Sequence, residues 1–499
     1  MAVAIDPATK VKELSVNSQH GTAPAEFVLT DTSLYVKRPK DPKFPEILAP
    51  LRHVLWAETV DGTLEISVVV KKSKKKAALA LVHISGKVEG KEEEAKSFAD
   101  AVLEAAYRGV KKYKHILVLV NPIAGPGKSR QHLVKKIQPI LKAARCTHED
   151  IITTHYKHAW EIARELPLDK YDVIATVSGD GIIHEILNGF AEHTQPVRAM
   201  QTPLCPIPGG SANALSLNLL GLEEGFDISA ATVNAVKGLP MNVDVCSVTQ
   251  GDKRFFSFMT QAIGLMAELD LGTEHLRFMG DNRFVYGYLR GLLRHKACPV
   301  KVSIKAGQSD KQQMLEHLRA GEAAAAQRVV AARGAPAPVV VGEAADVTDP
   351  PSTDPGLPPL VHRYEPGAEG WLEFDRPLLY LFGGKGPLVA RDLLQFPMSL
   401  PDDGYVDIVV QERLTRKEML KAMDGAEVGK TYWMDSQHYF KAVAYRVEPH
   451  NRDSCLSVDG EGYPFEPFEV EVHKGLATLL SPYGVYNVKF SVPDIKKPK

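Results

Sequence analysis

Cysteine is scarce in this chain of 499 residues: five in all, Cys146, Cys205, Cys246, Cys298 and Cys455, scattered without paired spacing. An odd, unpatterned set excludes a disulfide framework and a cysteine zinc site, and fits a reducing compartment. Net charge is nearly absent as well, −1 at neutral pH with a pI near 7.0, which excludes bulk attraction to nucleic acid. Long hydrophobic runs are missing. The most apolar window, 255–271, is short and contains Gln261, Glu268 and Asp270, too polar to cross a bilayer. The first residues have no basic stretch ahead of an apolar core, so no secretory signal is expected. The expectation is a cytoplasmic chain whose membrane contact, if any, is peripheral.

What is present is glycine in particular places. Ser178-Gly179-Asp180-Gly181 follows the apolar run 173–177 and opens onto a helical pattern of Ile182, Ile183, Ile186, Leu187 and Phe190. A carboxylate thus stands between two glycines at a strand-to-helix turn. Glycine lets backbone and ligand approach closely, and the helix N-terminus offers free N–H groups and partial positive charge to phosphate. Two similar loops lie nearby, 121–129 after the apolar run 116–120, and 208–215. Three such turns within about a hundred residues read as one nucleotide-binding α/β unit. Gly127-Lys128-Ser129 imitates the end of a P-loop, but Pro122 stands where its first glycine belongs and Pro126 has no N–H to give.

The chain divides into a disordered start (1–24), a β-rich unit with the look of a pleckstrin-homology sandwich (25–110), the α/β nucleotide domain (111–239) and an antiparallel β-sandwich (240–490). Strands are expected at 26–37, 52–60, 63–70 and 77–84, then a helix carrying Phe98 and Val102. The lysine run 71–76 is either a solvated hairpin loop or a patch for anionic lipid. Residues 319–358 hold eleven alanines and six prolines, so 306–366 is expected to be a mobile insertion with one short helix near 312–332.

The three loops, with Ala267-Glu268-Leu269-Asp270-Leu271, Asp402-Asp403-Gly404 and Asp459-Gly460-Glu461 further on, resemble the diacylglycerol kinase superfamily. Within it the sphingosine (sphingoid long-chain-base) kinases are most similar. Ser178 leans that way, where diacylglycerol kinases usually show Gly-Gly-Asp-Gly. The stretch 459–467 looks like the fungal long-chain-base kinases. The resemblance implies ATP with Mg²⁺ and phosphorylation of the primary hydroxyl of a sphingoid base. It implies Asp180 as general base. Around ATP it places Asn121, Pro122, Ile123, Thr153 to Lys157, Ser178, Gly179, Gly181, Glu185, Gly210, Ser211 and Ala212. Arg277 and Arg283 would hold phosphates, Asp459, Gly460 and Glu461 would complete the phosphate region, with Asp459 on the metal, and Asp270 would bind the amino head. The family usually has glycine where Ala212 stands.

The residues make sense on their own chemistry. Phosphoryl transfer needs a positioned hydroxyl and neutralised phosphate charge, and arginine's planar fork suits phosphate. Asp180 also suits a helix cap, Glu185 suits a helix's first turn, and His184 reads better as a packed histidine than as a catalytic helper. Leu265, Met266 and Leu269, with Phe284 and Tyr288, would line an alkyl tunnel ending at Asp270, though each alone reads equally as core. The expected partners are a sphingoid-base lipid and a membrane surface, with no nucleic acid; a homodimer stays open. A ceramide or diacylglycerol kinase competes with this reading; the charge at Asp270 argues against it, because those head groups are neutral there. A catalytically silent lipid-binding scaffold is the other competitor.

Overall fold

The computed structural model describes residues 10–18, 25–37, 46–73, 76–210, 213–280, 282–334 and 356–490. An N-terminal unit comes first. Its strands run in one antiparallel order, with Lys10–Ser18 joining the strands at 25–50 to those at 54–87. The helix Glu92–Ala106 closes it, burying Phe98, Ala99 and Val102. The start of the chain is therefore ordered over 10–18, a correction to the disordered 1–24. Leu14 and Val16 alternate into the core, a signal of two residues that is too short to register as a strand. Thr63–Ser73 and Lys76–Lys87 pair as a hairpin, so the lysine run sits at its tip; Lys74 and Lys75 lie outside the described residues.

A second, mixed sheet carries the rest. Its parallel part follows the order 147–152, 115–120, 173–178, 204–208. The strands 115–120, 173–178 and 204–208 are buried on both faces, as parallel strands flanked by helices must be, whereas the edge strand 147–152 stays partly exposed. The antiparallel part does not stand as a separate sandwich. Phe468–Ser481 pairs along most of its length with Leu239–Gln250, with Gln437–Pro449 on its other edge, and its end lies beside Leu204. One sheet thus runs through both parts and holds them in fixed register. The strands Cys298–Gln308 and Val406–Glu412 each bridge Leu372–Gly384 and Gln437–Pro449.

The helix expected near 312–332 is present, whereas the mobility expected of 306–366 is corrected over its described residues. Lys311–Gly334 is a helix of 24 residues. Met314, Leu315 and Leu318 pack with Phe396, Met398 and Leu400, and its far end meets the N-terminal unit, where a Cβ on Gly109 would lie 2.1 Å from the Ala332 carbonyl oxygen. Alanine explains both the error and the structure: it lowers the apparent apolarity of the window, yet it favours helix and lets backbones approach. Residues 335–355 lie outside the described residues. Beyond them, the N–H groups of Val361 and His362 donate to the Glu471 carboxylate. Met314 is fully buried, so Met314→Ala should cost about 2–5 kcal/mol, read as a lowered urea midpoint with unchanged slope; an unshifted midpoint would return the segment to a dispensable loop.

Candidate active site

The parallel register determines where the loops meet. Val177 lies beside Val120, and Ser178 beside Pro208, so three strands end at one edge of the sheet. Open α/β sheets bind ligands at such carboxyl ends. The loops touch through glycine. A Cβ on Gly125 would lie 2.6 Å from the Gly209 carbonyl oxygen, and one on Gly210 would lie 2.5 Å from the Gly179 Cα. Hydrogen bonds complete the join: Asn121 N–H donates to the Val177 carbonyl at 3.1 Å and Gly209 N–H to the Ser178 carbonyl at 2.8 Å. Asn213, at φ +49°, closes its own loop by accepting from Gly210 N–H and donating to Gly210 O. Gly210→Ala should force the second and third loops apart and raise KM for ATP about tenfold or more while KM for lipid stays put. Unchanged ATP kinetics would show that the contact is not part of the nucleotide site.

Asp180 is not a cap of its own helix. Its carboxylate turns to the next one, Ala214–Glu224, accepting from Ala214 N–H at 2.8 Å and Leu215 N–H at 3.2 Å. Burial pushes its carboxyl up to about 6; the two N–H bonds pull the other way, and the Asp459 charge adds to the rise. Glu185 likewise serves a neighbouring helix, accepting from Lys157 N–H and Ala159 N–H at 3.2 Å each. Burial raises its pKa against those two bonds.

A cavity of about 590 Å³ opens over these loops. At one end it is lined by Asn121, Pro122, Ile123, Thr153, Ser178, Gly179, Asp180, Gly181, Glu185 and Gly210, as expected, and by Asp459, Gly460 and Glu461 from the antiparallel part. His155 and Tyr156, within the expected 153–157 stretch, line it too, whereas Lys157 gives its N–H to Glu185 and does not. Ser211 and Ala212 lie outside the described residues, as does the side chain of Arg277. Arg283 lines the cavity. It stands 3.8 Å from the Asp270 carboxylate and stacks on Phe284, so the residue expected on phosphate and the residue expected on the amino head are neighbours.

The other end is apolar. Met266, Leu269 and Phe284 line it, with Phe382, Val389 and Leu393, which sequence reasoning missed. Leu265 and Tyr288 do not, and their assignment to the tunnel is corrected. Leu265 fills the space beside Gly291, where a Cβ would meet its Cδ1 at 2.2 Å. The Tyr288 hydroxyl donates to the Met419 carbonyl at 3.0 Å, and burial pushes its phenol up to about 12.

Asp459 reaches the cavity only by its edge. Oδ1 accepts from Ser257 Oγ, Met259 N–H and Thr260 N–H, and Oδ2 accepts from Phe258 N–H and faces His184 Nδ1 at 2.9 Å. Five partners leave no lone pair for a cation, which corrects the metal role expected of it. His184 is a packed histidine whose other nitrogen faces the Tyr463 hydroxyl at 3.2 Å, and together the two residues tie the α/β helix to the turn that presents Glu461. Asp403, from the expected Asp-Asp-Gly motif, lies elsewhere, accepting from the buried Lys385 and Lys441 at 2.9 and 2.7 Å.

Among known proteins, residues 115–248 match the family described as diacylglycerol kinase catalytic domain, and residues 27–108 match a domain of unknown function. Sphingoid long chain base kinase 4 of Schizosaccharomyces pombe is 29% identical over 89% of this chain and 90% of its own length. Sphingoid long chain base kinase 5 of Saccharomyces cerevisiae is 29% identical over 78% of this chain and 62% of its own. A solved structure of a diacylglycerol kinase from Bacillus anthracis aligns at TM-score 0.49 and 18% identity, covering 74% of this chain and 98% of that one. The glycine loops around Asp180 fall inside the matched domain, and the likeness to the two yeast kinases extends well beyond it: the chain carries a diacylglycerol kinase catalytic domain over 115–248 and is similar along most of its length to sphingoid long-chain-base kinases.

Proposed function

We propose that the chain phosphorylates the primary hydroxyl of a sphingoid base with ATP. The observation that carries this is the continuity of one cavity, from the glycine loops around Asp180 to an apolar arm with Asp270 on its wall. A nucleotide fits the first end, where backbone N–H groups converge. A lipid chain fits the second. A sphingoid base carries an ammonium beside its hydroxyl, and Asp270 supplies the opposite charge; ceramide and diacylglycerol have no charge there.

Asp180 accepts the hydroxyl proton. A carboxyl shifted up to about 6 is ionised at neutral pH and close to the working range of a general base. Arg283 supplies a phosphate-binding fork at the junction of the two arms. Seven carboxylates line the cavity (Asp180, Glu185, Asp270, Glu274, Asp392, Asp459, Glu461) against the single guanidinium of Arg283 among the described residues. Such a site repels naked ATP, so the donor set fits Mg²⁺ brought with the nucleotide. Mg²⁺ takes one or two carboxylates besides phosphate oxygens and water. Glu461 is the residue to hold it, since Asp459 is saturated. When bound, the metal neutralises phosphate charge.

No helix among the described residues is long and apolar enough to cross a membrane. The helix Asn282–Arg294, which carries Arg283 and Phe284, exposes Val285, Tyr286, Leu289 and Leu293. We read that face as the side that meets the bilayer from which the lipid is drawn. The N-terminal sheet with its closing helix is read as pleckstrin-homology-like.

Radiolabelled ATP offered with sphingosine, dihydrosphingosine, phytosphingosine, ceramide and diacylglycerol tests the proposal. Label is expected on the primary hydroxyl of the three bases. Transfer to ceramide or diacylglycerol alone would overturn it, and no transfer at all would favour a scaffold.

A further inference from the structure

We infer that Ser457 is a positioning residue for recognition of the lipid head, acting through the Asp270 carboxylate; this rests on the role given to Asp270 above. Ser457 Oγ donates to Asp270 Oδ2 at 2.7 Å, and Ser457 is 1% exposed. The two residues are far apart in sequence. Asp270 stands near the end of the short helix Leu265–Leu271, and Ser457 in the strand Leu456–Val458, which pairs with Gln261–Ile263 just ahead of that helix.

A carboxylate at a helix end has several rotamers open to it. Here it is addressed at both oxygens, Arg283 standing 3.8 Å from Oδ1 and the serine hydroxyl binding Oδ2. A hydroxyl-to-carboxylate bond of this length is charge-assisted and directional. It fixes the carboxylate beside the nucleotide turn, where a Cβ on Gly460 would lie 3.9 Å from Oδ2. The same strand leads into a tight turn at Asp459, anchored by its five partners, and Gly460, which delivers Glu461 at the start of the paired strand Glu461–Tyr463. One hairpin thereby sets the distance between the charge that holds the amino head and the turn that faces the nucleotide. Ser457 itself is not among the residues that line the cavity.

Ser457→Ala removes the hydroxyl at nearly constant volume. KM for sphingosine should rise about three- to tenfold, with kcat and KM for ATP changed by less than about twofold. Ser457→Thr should restore the parent values. In an Asp270→Asn background Ser457→Ala should add less than about twofold, since it acts only through that carboxylate. Equal losses for lipid and ATP, or full additivity in the double variant, would overturn the inference and leave Ser457 as ordinary packing. The two readings fail separately. A parent chain inactive on sphingosine overturns both; a parent active on sphingosine, sensitive to Asp270→Asn and indifferent to Ser457→Ala, overturns this one alone.

Discussion

Asp180→Asn should lower kcat by on the order of 10²–10⁴ with little change in either KM. The substitution keeps shape and removes the base. It also isolates chemistry from folding. Asparagine offers one carbonyl oxygen, so one of the two bonds to Ala214 and Leu215 N–H survives. Against that loss, a buried charge disappears. The native carboxyl is shifted up to about 6, chiefly by burial, so the folded state holds its proton more tightly than the unfolded one. Ionising Asp180 therefore removes stability as pH rises from the ordinary carboxylate range toward about 6. At neutral pH the two effects oppose each other, and the melting temperature should move by only a few degrees, on the order of a 1 kcal/mol change. The parent enzyme should lose kcat as pH falls through about 6, where the base becomes protonated. A variant with near-parent kcat, or a parent whose kcat is flat through that range, would make Asp180 a structural cap and nothing more.

Asp270→Asn should raise KM for sphingosine by roughly one to three decades, because losing one partner of a partly desolvated ion pair costs about 2–5 kcal/mol. The neighbouring Arg283, 3.8 Å away, modifies the expectation for ATP. Freed of the opposing carboxylate, the guanidinium is more available to phosphate, so KM for ATP should stay level or fall. Activity on an N-acylated, uncharged analogue should not drop. Steady-state kinetics on both lipids, with ATP varied separately, decides the matter. An equal loss on charged and neutral lipids would sink charge recognition and restore the ceramide or diacylglycerol reading.

The nucleotide end of the site was readable because its signals are local. Each glycine loop directly follows an apolar run of parallel-strand length, and parallel register then brings the three run-ends to one edge. What stayed hidden depends on contacts across the chain. Nothing near Asp459 in sequence says that Ser257, Met259 and Thr260 will occupy its Oδ1. Nothing near Asp180 says that its partners are Ala214 and Leu215. The apolar arm is half legible for the same reason: Met266 and Leu269 stand on one short helix, whereas Phe382, Val389 and Leu393 arrive from a strand and hairpin more than a hundred residues later. Leu265 and Tyr288 were misplaced because helix spacing alone does not say which apolar residue faces a void and which faces a neighbour. The helix near 312–332 was legible, its Met314, Leu315 and Leu318 falling at helical spacing, but its packing was not, because an alanine-rich composition shows little apolar surface to bury.

Head-group charge is what separates this reading from its competitors, and a single competition measures it. Equimolar sphingosine and its N-acetyl derivative, matched in chain and in the same mixed micelles, are offered with ATP and Mg²⁺ to the full-length chain, and the two phosphorylated products are quantified by mass spectrometry. The ratio of kcat/KM values should favour the free amine by about 2–5 kcal/mol, or roughly thirtyfold to several thousandfold, and should collapse toward parity in Asp270→Asn. A parent chain that phosphorylates both lipids equally, or prefers the amide, would contradict a site built to recognise the ammonium of a sphingoid base.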